Sequence, residues 1–383
     1  MPQQITLMFD KSVLQGLKPD EAKWLFHHFR INLPPVFFTE ILGDVAKPSG
    51  SKTSTGTGIG DAKSLANKVD HSSVSLNVSA GLLLDHELRS GPLSMDGRPV
   101  LHAERVSMGD GKSGAYIDQI PSQRILDRWR EGNFSELENE LAKLHRQNLK
   151  SNSLEVLFRM SKSIRNASIK THDDVARAIQ DFLFHQENHF ENLSRWLAFC
   201  GFDTKLKEHI IASWKKAGRK PSQNRFPFIC HFAKIEAHFL LGVSNSVITT
   251  RASNQTDMEY IKYLPFCEAF CSGDLLHQDL FPHFAQNWQT FLTREELKLA
   301  MREITDHWAS IDETERKQGS YTYADFPPTS LDNAATKLFD KRIPNWRTLA
   351  KIERKPLSEA DRQRTYEGIK PFVEAIKRYK GEE

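Results

Sequence analysis

Cysteine is scarce in this chain. The four present, at positions 200, 230, 267 and 271, form no CxxC pair. Beside Phe199, Ile229, Phe266 and Phe270 they read as buried thiols, so neither a disulfide framework nor a zinc site is indicated. Long apolar runs are missing too: nothing approaches the roughly 20 residues a membrane helix needs. The first residues, Met1-Pro2-Gln3-Gln4, carry no basic segment of a secretory signal. A cytoplasmic protein without membrane spans is the expectation. Charge of one sign is not in excess either, since 52 basic and 49 acidic residues leave +3, which permits contact with nucleic acid without predicting it. The Gly/Ser/Thr-rich stretch from Pro48 to Gly60 has no Gly-Lys-Ser/Thr ending and no apolar strand before it, so it reads as a mobile loop rather than a phosphate cradle. His185 and His189, one helical turn apart, lack the HExxH order and a third ligand, and read as a solvated helix face.

What the chain does have is length: 383 residues exceed what one core usually serves, so a catalytic-sized domain with large insertions is expected. Ile5-Thr6-Leu7-Met8-Phe9 reads as a central strand, residues 18 to 29 as a helix opened by Pro19-Asp20, and Ile31 to Leu33 as a second strand. Pro35 then opens a helix to about Lys47. Residues 74 to 88 read as helical, Asp96-Gly97 as a turn between short extended pieces, and residues 121 to 242 as almost wholly helical. Asp257 falls in a helix running toward Tyr263, ahead of a strand from Cys267 to Ser272. Further helices follow near 294 to 308, 330 to 340 and 358 to 379.

Four carboxylates fall at informative places. Asp10 ends the first strand, Glu40 rides the Pro35 helix, Asp257 sits on its helix, and Asp274 lies just past the strand ending at Ser272. Open parallel sheets gather their active groups at the carboxyl ends of the strands. Acids converging there repel one another unless a cation intervenes, and an all-oxygen set suits Mg²⁺ or Mn²⁺ better than zinc. Such an ion polarises a phosphodiester and helps deprotonate an attacking water, so nucleic-acid hydrolysis is the natural use. Arg251 and Lys262, near the acids in sequence, are candidates for phosphate contact, as is His277. Each acid also has a plainer reading: Asp10, Asp257 (or Thr256) and His277 as helix caps, Glu40 as a solvated helix residue, Asp274 as a turn. The run Lys215-Lys216-Ala217-Gly218-Arg219-Lys220 after Trp214 reads as a solvated helix end, with strand binding and base stacking on Trp214 as the alternative.

In their order, Phe9-Asp10-Lys11-Ser12-Val13-Leu14, Pro35-Val36-Phe37-Phe38-Thr39-Glu40-Ile41-Leu42, Asp257 and Asp274 resemble the PIN-like nuclease family. The resemblance covers residues 3 to 46 and 250 to 282. It implies a three-layer α/β/α core with a central parallel sheet, metal-dependent cleavage with RNA favoured over DNA, and metal ligation and catalysis by Asp10, Glu40, Asp257 and Asp274. Ser12 would hold the loop of the first aspartate. The interval between Glu40 and Asp257 is far longer than a compact PIN domain uses. Glu259 is therefore a substitute for the third acid, and Asp279 an additional carboxylate or a solvated one.

The expected organisation is a first core part over 1–46, a mobile loop and mixed insertion over 47–120, a helical insertion over 121–242, a second core part over 243–285 and a helical C-terminal region over 286–383. Two other functions compete with the nuclease. One is an inactive PIN-like scaffold that engages a protein partner through its helical insertion. The other is a haloacid-dehalogenase-like phosphatase with Asp10 as nucleophile, for which Ser12 stands where a second aspartate is expected.

Overall fold

A computed structural model describes residues 4–47, 58–70, 73–109, 112–117, 120–151, 154, 158, 161–184, 189–219, 222–316, 323–352 and 358–380. The strands are β1 (Ile5–Phe9), β2 (Phe29–Leu33), β3 (Val74–Leu76), β4 (Glu104–Gly109), β5 (Lys112–Tyr116), β6 (Ala269–Ser272) and β7 (Thr290–Thr293). Helices of six residues or more are, in chain order, α1 (Lys11–Gly16), α2 (Pro19–His28), α3 (Pro35–Val45), α4 (Gly58–Lys68), α5 (Ala80–Ser90), α6 (Ile120–Glu131), α7 (Glu136–Ser151), α8 (His172–Leu183), α9 (His189–Phe199), α10 (Thr204–Lys216), α11 (Pro227–Ser244), α12 (Ser253–Ile261), α13 (Leu275–Phe284), α14 (Arg294–Ala309), α15 (Ala334–Arg342) and α16 (Glu359–Lys380). Pro19 and Pro35 stand at the first positions of α2 and α3, where the missing N–H costs no helical hydrogen bond.

β4 and β5 form a separate antiparallel hairpin. The other five strands make one sheet in the order β3-β2-β1-β6-β7, every neighbouring pair parallel. All five residues of β1 and all four of β6 are buried, as a sheet covered on both faces requires. The register sets Met8 beside Phe270 and Phe9 beside Cys271. Successive side chains alternate, so Phe9 and Phe270 point to opposite faces. Phe9 meets Phe26 of α2, while Phe270 meets Tyr260 of α12 and His277 of α13. Helices thus cover both sides. This is the three-layer α/β/α fold that the sequence implies, with a large helical insertion and a helical C-terminal region.

Three local readings are corrected. Residues 74 to 76 are the edge strand β3, and helix starts only at Ala80 behind the cap Ser79. A three-residue strand is too short to show alternation, and its pairing with β2 overrides the helical pattern of the apolar residues that follow. β7, unread in the sequence, extends the other edge. Asp96-Gly97 does bend the chain, but the pieces on either side of it form no strand: Gly97 takes a positive φ of 87° and donates its N–H to the Pro265 carbonyl at 2.9 Å, and the antiparallel pair comes later, at β4 and β5. Of the Pro48 to Gly60 stretch, residues 48–57 lie outside the described residues and the three that follow open α4. His185 and Lys220 also lie outside them. Among the described residues no helix is long and apolar enough to cross a membrane.

Candidate acidic site at the carboxyl edge of the sheet

Because β1 and β6 are adjacent and parallel, their carboxyl ends emerge side by side, with the Asp10 N–H donating to the Cys271 carbonyl at 3.2 Å. Asp10 is 5% exposed. Its Oδ1 accepts from Ser12 Oγ at 2.6 Å and from the Val13 N–H at 3.1 Å, and its Oδ2 accepts from Ser272 Oγ. The cap reading of Asp10 holds, since its Oδ1 starts α1, and it leaves the carboxylate at the carboxyl end of β1. Gly273 is the close-packed joint. A Cβ there would meet Ser12 Oγ and Arg294 Nε, each at 3.2 Å.

His277 completes a buried relay. Its Nε2 lies 2.8 Å from the Asp257 carbonyl, which can only accept, so Nε2 carries a proton. Ser272 gives its single proton to Asp10, so the Nδ1 lying 2.8 Å from Ser272 Oγ donates as well. The Asp274 N–H fills the remaining acceptor position of that hydroxyl at 2.9 Å. With both nitrogens protonated, His277 is an imidazolium, 3.6 Å from Asp10 Oδ2 and reaching it through Ser272. Burial opposes that charge, but the neighbouring Asp10 and Asp257 outweigh it and raise the His277 pKa. The Asp10 carboxyl, which burial alone would raise, is held below its ordinary range by His277, Ser12 and Ser272.

Glu40, on α3, accepts from the Tyr260 hydroxyl of α12. Burial raises its carboxyl above the usual range against the pull of Lys11 and Tyr260, with Asp10 and Asp44 adding to the rise. Asp257 sits in mid-helix, not at a cap, because α12 begins four residues earlier. Its carboxyl is pushed up to about 7, first by burial and then by the negative charge of Asp274, Glu40 and Asp10, with His277 opposing. Asp274 is half-buried and caps α13 through the Leu276 N–H at 2.8 Å. Asp257 therefore lies within electrostatic reach of the other three carboxylates, and Glu40 within reach of Asp10. The four are not gathered as chelating ligands: among the described residues no three His, Cys, Asp or Glu side chains are grouped so as to hold a metal ion. Repulsion between anions and the hydrogen bonds that occupy Asp10 and Glu40 both favour that spread. The donors fit Mg²⁺ or Mn²⁺ in chemical type, being hard oxygens, and would have to draw inward to fit in spacing.

The remaining candidates fall elsewhere. Lys262 is buried and held between Glu236 at 2.8 Å and Glu259 at 2.6 Å, which leaves it no open face for a phosphate. Glu259 is thereby occupied with Lys262. Arg251 is exposed ahead of α12. Asp279 is exposed and acts electrostatically on His172 and His283, away from the four acids. His277 lies in the first turn of α13 as a buried bridge, not a cap. Trp214 is buried, so it presents no platform for a base. Two cations went unread: Lys11, whose Nζ bonds Asp44 at 3.0 Å and the Glu40 carbonyl at 3.4 Å, and Arg294, beside Ser12 and Gly273. Lys11 is adjacent to Asp10 in sequence, a signal that was there to use; Arg294 reaches the site only through the fold.

No family model, curated protein or solved structure matches this chain. The likeness to PIN-like proteins therefore stands on architecture. A parallel-sheet α/β/α core with helical insertions is broadly consistent with that fold and with a nuclease-type architecture in general.

Proposed function

We propose that the protein is a metal-dependent nuclease that hydrolyses phosphodiester bonds, RNA before DNA. The observation that carries this reading is that Asp257 feels the charge of Asp10, Glu40 and Asp274, with Asp10 at the carboxyl edge of a parallel sheet. Burial first, and the neighbouring carboxylates after it, raise Asp257 and Glu40 above their ordinary ranges against the pull of His277 on the one and of Lys11 on the other. Those four side chains would hold Mg²⁺ or Mn²⁺, and the ion would supply charge stabilisation at the phosphate and an acidified water. The chain's own groups do the rest. Ser12 and Ser272 fix the orientation of Asp10, the His277 imidazolium keeps it ionised, and Tyr260 holds Glu40 toward the site. Arg294, at the rim, and Arg251, ahead of α12, are suited to backbone phosphates on either side of the scissile bond.

The test incubates purified protein with labelled single-stranded RNA and DNA in Mn²⁺, Mg²⁺ or EDTA, beside Asp10→Asn. The expected outcome is metal-dependent cleavage that falls more than a hundredfold in the variant, since metal-assisted stabilisation is worth several kcal/mol. Absence of cleavage on every strand and metal would reject the reading. In its favour the second reading, an inactive PIN-like binding protein, has the lack of a ready-gathered ligand set among the described residues; it predicts no cleavage, with partner capture unchanged by Asp10→Asn.

A further inference from the structure

Between the helices that carry Glu40 and Asp257 lies a cavity of about 470 Å³, well within the range of small-ligand sites, roughly 300–1,000 Å³. It opens between α3, α12 and the start of α5, and its lining includes Thr39 and Thr256, the residues immediately before Glu40 and Asp257. None of the four acids lines it; Glu40 and Asp257 each follow a lining residue on the same helix. Pro35, Val36 and Tyr263 give it apolar surface. Tyr263 is fixed there, its hydroxyl donating to the Val78 carbonyl at 3.2 Å. Gln255 and Glu259 supply polar groups. Among the described residues no lysine or arginine lines it.

That combination selects against an anion. Lys262 is spent on Glu259 and Glu236, and burial lowers the pKa of His145 in the lining, so a phosphate meets no available cation there. A flat neutral heterocycle suits the cavity better: its faces match the apolar surface, while the Gln255 amide offers both donor and acceptor to its edge. The Gln255 amide oxygen, and the Glu259 oxygen that Lys262 does not hold, can accept from an amino group. A base inside a duplex cannot enter such a hollow without leaving its stack, whereas an unpaired base can. We propose that this cavity receives one unpaired nucleobase of the strand being cut, and that it favours bases bearing an exocyclic amine, adenine, cytosine and guanine, over uracil. The proposal rests on the nuclease reading for the direction of the strand across the acids, but its binding readout does not require cleavage.

The experiment measures fluorescence anisotropy of labelled oligo(A), oligo(C) and oligo(U) on the full chain carrying Asp10→Asn, alone and combined with Ala252→Trp or Gln255→Ala. Ala252 lines the cavity, and a tryptophan there fills it; Gln255 is exposed, so its truncation leaves the fold intact. The expected result is about tenfold weaker binding of every strand with Ala252→Trp, matching the loss of one seated base, and a narrowed preference for A and C over U with Gln255→Ala. Thermal melting checks each variant; should Ala252→Trp unfold, the base preference of Gln255→Ala decides. Unchanged affinity and preference in folded variants overturn the pocket. Cleavage is scored separately on the chain with Asp10 intact. Strand discrimination through the cavity without cutting keeps the pocket and rejects the nuclease, while cutting that ignores both cavity substitutions keeps the nuclease and rejects the pocket. A chain that neither binds nor cuts removes both.

Discussion

His238 shows how a single buried side chain sets a pH response. It is fully buried on α11, its Nε2 lies 3.0 Å from His172 Nδ1, and its Nδ1 has no partner. The ring planes differ by only 7° with centroids 5.3 Å apart, so the rings meet edge to edge in one plane, with the two facing nitrogens sharing one proton. Burial first, then the charges of His172, His283 and Lys234, push the His238 pKa down from 6.5 to about 2. A depressed folded pKa gives stability that is whole above the unfolded value and is lost as pH falls from 6.5 toward 2, at up to about 1.4 kcal/mol per pH unit. Urea unfolding at pH 7 and pH 5 checks this: the wild type should lose stability across that interval, and His238→Gln should lose less. An equal loss in both would contradict the assignment. No sequence pattern announces this pair, because its members lie on helices more than sixty residues apart. The same is true of the Ser272–His277 relay, whose meaning depends on where one hydroxyl proton goes.

At the level of elements, α11 is an 18-residue helix whose first N–H groups need partners, and Phe226 before it supplies no side-chain cap. Glu87 on α5 does so from outside. Its carboxylate accepts from the N–H groups of Phe228 at 3.0 Å, Ile229 at 2.8 Å and Leu93 at 3.1 Å. Glu87→Ala should therefore destabilise the protein by about 3 kcal/mol by leaving buried donors unpaired, with Glu87→Gln retaining part of that; chemical denaturation measures both. A loss under about 0.5 kcal/mol for the alanine variant would mean the cap carries little. Elements with long apolar faces were readable in the sequence: β1, α3 behind Pro35, the helical block between residues 121 and 242, and the helix that carries Asp257. Val74–Leu76 and Thr290–Thr293 were not, since three or four residues show no period and only pairing with β2 and β6 defines them as strands. Of the candidate site, Asp10 and Asp274 stood out at element ends, and Glu40 and Asp257 by riding helices between the strands. Lys262 misled because nearness in sequence says nothing of the two glutamates that enclose it.

Across the whole molecule, the sheet brings residue 10 to residue 274, and two helices from distant stretches add Glu40 and Asp257. The account rests on these four acids acting as one cation-dependent unit. Its most direct test is the melting temperature of the purified chain in EDTA and in Mn²⁺, for wild type, Asp10→Asn and Asp257→Asn. Ion binding at about a hundred times its dissociation constant adds about 2.7 kcal/mol to the folded state, enough to raise the melting point by a few degrees in a chain of this size. The account predicts that rise in the wild type, its reversal by EDTA, and its loss in both variants. No rise, or the same rise in all three proteins, would contradict it.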